Sequence, residues 1–232
     1  SGPVFNLAFE LCHVFAYKPR VPVKKQPELD AATRYCAVLG QPIRHSASPA
    51  MQNAGIAALD TIHDMRSDVL HTILDTNLKG AMFVAKYTVG PMISRFLAGE
   101  ESGRIINIAS AVVGAGHPML SHYVASKHGL VGLTSSWAAE LSEFNINVNV
   151  ICPGTIEPAP GRGSGMVQGL SAAMEMPPLE AYETFSAQGC LPGTKWRCTM
   201  QDITDMVLFL ASDNARVITG AVIPVDGGHM AR

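Results

Sequence analysis

Short β-rich runs alternating with stretches of helical apolar spacing place this chain in the α/β class, with a parallel sheet covered by helices on both faces. Composition agrees: of 232 residues, 47% are apolar and only 16% charged, with a net charge of -2. That is enough apolar material for a sizeable core, and too little charge for extended disorder, a coiled coil or a polycation. The 21 glycines and 15 prolines are ordinary for a chain with many loops. A single domain over residues 1–232 is expected, with an atypical N-terminal segment over 1–50 and a regular core over 51–232.

The N-terminal segment carries six Lys/Arg and three Asp/Glu, against eleven and sixteen in the remaining 182 residues. Residues 18–30 hold three prolines and four basic side chains. Proline removes a backbone donor and restricts its predecessor, so a surface connector is expected there. Six basic residues in fifty form no dense patch, which argues against a nucleic-acid partner. Ala37-Val-Leu-Gly40 reads as a short strand.

From Asp64, helical spacing runs through Val69, Leu70, Ile73, Leu74, Leu78, Met82, Phe83 and Tyr87, with a bend or break expected at Pro91. Residues 104–109 (RIINIA) form a β-rich run followed by a glycine-containing loop. A helix is expected from about His122 to Glu143, with Leu130, Leu133, Trp137 and Leu141 on its apolar side. Residues 146–152 (INVNVIC) make the next strand, stopped by Pro153-Gly154. The glycine- and proline-rich stretch 155–198 leaves room for one short helix near 178–187. Thr199 and Asp202 have the spacing of a capping box ahead of a further helix, ITDMVLFLAS. Residues 217–225 (VITGAVIPV) form the last strand, closed by Gly227-Gly228.

Several classes are disfavoured. The five cysteines form no C-x-x-C pair, which reads as reduced intracellular thiols. His117 and His122 lie closest to the chemistry described below, but neither belongs to an H-E-x-x-H motif, so no metal is expected. No run of 18 apolar residues occurs, and the opening residues lack a basic leader and contain Glu10. A cytoplasmic protein without membrane attachment is therefore expected.

The sharpest local signal is Tyr123-Val-Ala-Ser-Lys127. Four residues apart on a helix, the phenol and the ammonium share a face. Ser110 lies thirteen residues before the tyrosine, just after a strand. A loop folding back would gather all three at the carboxyl end of the sheet, where open α/β folds bind ligands. A nearby ammonium lowers a phenol's pKa, which suits tyrosine to exchange a proton with an alcohol or carbonyl oxygen. The carbon then exchanges a hydride, which no side chain supplies, so a nicotinamide cofactor is implied.

These residues resemble the short-chain dehydrogenase/reductase family over about residues 51–232. There, a Tyr-x-x-x-Lys pair works with a serine thirteen residues earlier, as Tyr123, Lys127 and Ser110 stand here. Asn77-Leu-Lys-Gly80 is similar to the family's N-x-x-G, whose asparagine holds a water linked to the lysine. Asn53-Ala54-Gly55 resembles the end of its N-N-A-G motif, with Gln52 in place of the first asparagine. Pro153-Gly154 resembles the turn beside the nicotinamide, and the backbone around Ile156 would meet the carboxamide. Pro158 stands near the site where a threonine often makes a further contact. The resemblance implies a Rossmann-like three-layer sandwich, catalytic roles for Asn77, Ser110, Tyr123 and Lys127, and a homodimer or homotetramer. It also implies NAD or NADP held by Asn53, Ala54, Gly55, Tyr123, Lys127, Pro153, Gly154 and Ile156. The pairing surfaces it implies are the helices around 64–89 and 122–143 and the strand around 217–225.

The N-terminal part departs from that pattern. The family opens with T-G-x-x-x-G-x-G, whose backbone cradles the pyrophosphate at a helix N-terminus. No such motif occurs here, and the first 50 residues are too few for the usual early strands and helices. Read as one continuous chain, the sequence predicts weak or absent cofactor affinity; an additional early segment would restore ordinary binding. Residues 40–49 resemble the start of shikimate dehydrogenases, where Ser46 and Ser48 would bind a hydroxy acid. The plainer reading is a polar loop with Pro49 opening a helix.

The expected function is an NAD(P)-dependent oxidoreductase interconverting a secondary alcohol and a ketone. The alternative is a non-catalytic or cofactor-impaired homologue that persists as a self-associating protein. An apolar pocket is expected from Met166, Met174, Met176, Leu179, Tyr182, Phe185, Leu191 and Trp196; neither the substrate nor the choice between NAD and NADP follows from it.

Overall fold

The computed structural model describes residues 14–17, 34–39, 59–100, 103–156, 165–189, 191 and 198–231. Among the described residues, five strands form one sheet in chain order: β1 (Val14–Tyr17), β2 (Arg34–Leu39), β3 (Arg104–Ile108), β4 (Asn147–Pro153) and β5 (Val222–Val225). β2 to β5 run parallel, and β1 lies antiparallel to β2 at one edge. The expected α/β sandwich with a parallel sheet and an atypical N-terminal part is therefore present. β2 contains the expected strand at 37–39, while β1 is an addition to the sequence reading. The connector 18–30, the segment 40–49 and Asn53-Ala54-Gly55 lie outside the described residues.

Parallel strands need crossovers, which bring helices onto both faces. The central strands are buried on both sides: Ile105, Ile106, Val148, Val150 and Ile151 are all at most 1% exposed. Their side chains alternate with the pleat. Ile105, Ala109, Val148, Val150 and Cys152 join one core with residues of two long helices, while Ile106, Ile108 and Ile151 join a second core on the opposite face.

The first long helical stretch is α1 (Ser67–Leu74), a π-turn (Asp75–Lys79) and α2 (Gly80–Leu97) in unbroken succession. Of the bend or break expected at Pro91, the break does not occur. The proline removes one backbone donor, but Met92 and Ile93 just beyond it pack into the core and hold the last two turns in register. The stretch ends instead at Gly99, whose φ of +79° suits glycine. Its amide donates to Phe96 O and that of Glu100 to Arg95 O, which closes a Schellman motif.

α3 (Ser121–Leu141) matches the expected helix, but its buried stripe differs. Leu130 and Leu141 are buried as expected, joined by Thr134 and Ala138 and by Ser126, which meets the π-turn, while Leu133 and Trp137 are half-buried flanks. Small side chains let the helix approach closely, and Thr134 is satisfied by donating to Leu130 O and accepting from Asn107 Nδ2. Among the described residues between 155 and 198 there are two helices, α4 (Gly165–Met174) and α5 (Pro178–Gly189), where one was expected. α6 (Met200–Ala211) covers the second face and opens with the expected capping box of Thr199 and Asp202.

The last strand begins at Val222, five residues later than expected. Backbone bonds to β4 continue at Gly220 and Ala221, and asparagine side chains hold the stretch before and around them. Asn147 Nδ2 donates to Arg216 O and Ile218 O, and Asn149 Nδ2 donates to Ile218 O. Asn149 Oδ1 accepts from Ala221 N at 3.1 Å, and Thr219 Oγ1 accepts from Val148 N. Asn149 is only 1% exposed, so Asn149→Ala would strip the part-buried Ile218 carbonyl and Ala221 amide of their partners. A loss of about 2–4 kcal/mol is expected. Urea unfolding should show a lower midpoint at unchanged slope; an unchanged midpoint would contradict this account.

Candidate active site

The carboxyl ends of β3 and β4 deliver two side chains to one place. β3 ends at Ile108, and Ser110 follows in extended conformation, capping a short turn at Ala111–Val113 by accepting from Val112 N at 3.4 Å. β4 ends at Cys152-Pro153, and Gly154 N donates to Val225 O of β5 at 3.0 Å. A Cβ at Gly154 would come within 2.8 Å of Asp226 Cα, so only glycine lets this turn lie against the neighbouring strand end.

The first turns of α3 bring in the other two groups. Lys127 is 3% exposed and donates from Nζ to Ile108 O at 3.0 Å, with the same atom 5.6 Å from the centre of the Tyr123 ring. Burial pulls its pKa from 10.5 down to about 8, against a smaller opposing pull from Cys152. Tyr123 is half-buried as a residue, but its phenol sits in dry surroundings. Burial raises that phenol's pKa, offset in part by the neighbouring Ser110 hydroxyl. This corrects the expectation of a lowered phenol pKa: desolvation outweighs the Ser110 hydrogen bond, and the ammonium is bonded to Ile108 O.

Asn77 lies in the π-turn, 9% exposed, and donates from Nδ2 to Ser126 Oγ at 3.1 Å. Ser126 Oγ in turn donates to Tyr123 O at 2.7 Å. The four expected catalytic positions are thus linked: Ser110 to Tyr123, Lys127 over the Tyr123 ring, and Asn77 to the Tyr123 backbone through Ser126. Pro153 and Gly154 lie at the same edge, and half-buried Ile156 pairs with Cys198.

Two groups nearby were missed from sequence. Cys152 is fully buried, interacts electrostatically with Tyr123, Lys127 and Asp226, and has its thiol pushed up to about 11 by burial. Parity within INVNVIC marks it, since Cys152 shares a face with Val148 and Val150. Asp226 accepts from Gly228 N and Met230 N, both at 2.8 Å, which folds the C-terminal turn back. That turn stacks His229 on His117, with ring centres 5.4 Å apart. Of the expected pocket residues, Leu179 is 65% exposed and Tyr182 is 1% exposed in the core, so neither is a free wall. Leu191 packs on Gly228; Trp196 and the Met166 side chain lie outside the description.

The fit to a dinucleotide can be judged at one end. An ammonium has three donors, and one of Lys127's is held by Ile108 O, which leaves donors for a ribose hydroxyl beside the Tyr123 phenol. A side-chain-free turn at Gly154 adjoins them. These groups fit the nicotinamide–ribose end. Among the described residues no glycine-rich turn opens a helix for the pyrophosphate, and no cluster of three or more His, Cys, Asp or Glu is placed to hold a metal. No described helix is long and apolar enough to cross a membrane.

A helix carrying tyrosine and lysine one turn apart, facing a serine at the end of a parallel strand, defines a class of α/β oxidoreductases. The chain belongs to the short-chain dehydrogenase/reductase family: the family model described as enoyl-(acyl carrier protein) reductase matches residues 48–230. It is 36% identical to the (-)-trans-carveol dehydrogenase of Rhodococcus erythropolis over 177 residues, 76% of this chain and 62% of that one. It is 33% identical to a 3-oxoacyl-(acyl-carrier-protein) reductase of Thermotoga maritima, over 77% of this chain and 64% of that one. The fold is similar to that of carveol dehydrogenase from Mycobacterium avium in complex with NAD, with a TM-score of 0.68 and 25% identity, covering 85% of this chain and 65% of that one. The chain thus spans less than two thirds of the length of these relatives.

Proposed function

We propose that the chain is an NAD(P)-dependent oxidoreductase interconverting a secondary alcohol and a ketone. The observation that carries this reading is the meeting of Ser110, Tyr123 and Lys127 at the carboxyl ends of β3 and β4. A bound nicotinamide supplies or accepts the hydride. Tyr123 Oη gives the proton to the carbonyl oxygen, or takes it from the alcohol. Ser110 Oγ holds the same oxygen, and the Lys127 ammonium stabilises negative charge left on the phenol. Asn77 completes the proton path to Lys127 through a water. Pro153, Gly154 and Ile156 would line the cofactor, and Asn53, Ala54 and Gly55, which lie outside the described residues, would join them. The relatives named for carveol support an apolar ring alcohol or ketone as substrate.

Calorimetric titration of the full chain with NADH and NADPH tests the reading. A saturable heat with either supports it. No heat at millimolar cofactor would overturn it in favour of a folded, self-associating homologue without turnover. The sequence holds no T-G-x-x-x-G-x-G turn, so weak affinity is expected if the chain is continuous and ordinary affinity if an early segment belongs with it.

The chain also forms a homodimer or homotetramer on this reading. α2 exposes Met82, Phe83 and Tyr87 within two turns, at 47–55%. Leu208, Phe209, Val217 and Val222 form a second set of exposed apolar residues, on α6 and around the start of β5. Closed symmetry would bury such faces. Light scattering should give at least twice the monomer mass; a monomer across a wide concentration range would contradict this. A cytoplasmic location, without a nucleic-acid partner, belongs to the same reading.

A further inference from the structure

The turn that carries the acid/base group is poorly secured by its own helix. α3 starts after Leu120, at φ -123° and ψ 19°, with no side-chain cap for its first amides. Uncapped first turns leave backbone donors unpaired and fray. His122 adds to the problem, since it is 2% exposed and neither ring nitrogen has a hydrogen-bond partner among the described residues. A buried polar group without a partner destabilises the segment that holds it. Tyr123 is the next residue, so its phenol needs an anchor from elsewhere.

Ser126 lies one turn after Tyr123, immediately before Lys127, and is fully buried. A serine inside a helix commonly bonds back to the carbonyl three or four residues earlier, and Ser126 Oγ does so, donating to Tyr123 O at 2.7 Å. That bond alone is local and would be unremarked. The same oxygen, however, also accepts from Asn77 Nδ2 at 3.1 Å, 49 residues away on the π-turn. The hydroxyl is thus used as donor and acceptor at once in a dry interface. The π-turn offers a firm base, for it sits within an unbroken helical stretch from Ser67 to Leu97 that packs on α3. Such turns displace one helix face relative to the next, and here the displaced residue is the asparagine that grips α3.

We infer that Ser126 is a positioning residue, tying the first turn of α3 to Asn77 and so holding the phenol of Tyr123 and the ammonium of Lys127 in working register. The inference rests on the reading of Tyr123 as the acid/base. A small displacement of a reacting group is enough to slow a proton transfer strongly.

In the full chain, Ser126→Ala is expected to lower kcat by about 10- to 100-fold with KM changed less than about twofold. Amide hydrogen exchange over residues 121–127 should quicken. Asn77→Ala should lose at least as much, since it also takes the asparagine from the proton path, and the double variant should be no slower than Asn77→Ala alone, since both cut one tether. Ser126→Cys, close in size with a weaker donor and acceptor, should fall between wild type and Ser126→Ala; it also serves if the alanine variant fails to fold. Normal kcat in Ser126→Ala, multiplicative losses in the double variant, or unchanged exchange over 121–127 would overturn the inference. If the preparation has no turnover, the exchange measurement decides alone. Normal turnover in Tyr123→Phe would sink the acid/base reading instead, and normal kcat in Ser126→Ala beside a dead Tyr123→Phe would sink only this one.

Discussion

Tyr123→Phe is expected to reduce turnover by a factor of about 10²–10⁴, the range for losing a positioned acid/base. The change deletes one oxygen and keeps the ring that lies under Lys127 Nζ. Because burial holds the phenol above its ordinary pKa near 10, it is neutral at pH 7 and ready to donate a proton. The variant should therefore fail most clearly in ketone reduction near neutrality. Its thermal midpoint should stay close to wild type, since no core contact is removed. Steady-state kinetics with a ring ketone, beside a melting curve, make the check. Normal kcat in a folded variant would reject the assigned role.

The second large effect concerns Lys127, and its sign follows from burial. Its ammonium titrates near 8 rather than 10.5 because it is desolvated. Reduction needs that charge, so kcat should hold from pH 6 to 7 and fall about tenfold per unit above about 8, well before the phenol titrates. Lys127→Met should cost about 10²-fold or more at pH 7 and flatten this limb. The stability linkage runs the other way. The unfolded chain binds more protons than the folded one between about 8 and 10.5, so this group makes stability rise with pH across that window. Below it the ammonium is charged in both states and its desolvation penalty is fully present. Lys127→Met should remove the rise. A wild-type reduction limb near 10, or an unchanged limb in the variant, would contradict the electrostatic role.

The capping box at Thr199 was readable because its bonds join residues three apart, and the Tyr123–Lys127 pair because helix geometry alone puts positions four apart on one face. The strands at Arg104–Ile108 and Asn147–Pro153 were readable because strands buried on both faces are almost continuously apolar. The end of α2 was misjudged because the proline rule is local, whereas Met92 is held by a core assembled from distant elements. The start of β5 was misjudged for the same kind of reason. Asn147 and Asn149 read as ordinary strand polar residues until residues 216–221 come alongside to bond them.

By itself the sequence determined the fold class, the main helices and strands, and the spacing of Ser110, Tyr123 and Lys127, since all of these follow from short-range periodicity. Only the tertiary structure decided the state of the site. Desolvation is a sum over whatever packs around a group, so the raised phenol, the lowered ammonium and the buried Cys152 thiol could not be read from neighbours in the chain. The link from Asn77 through Ser126 to Tyr123 likewise joins residues 49 positions apart, and it exists only because the π-turn and α3 are pressed together.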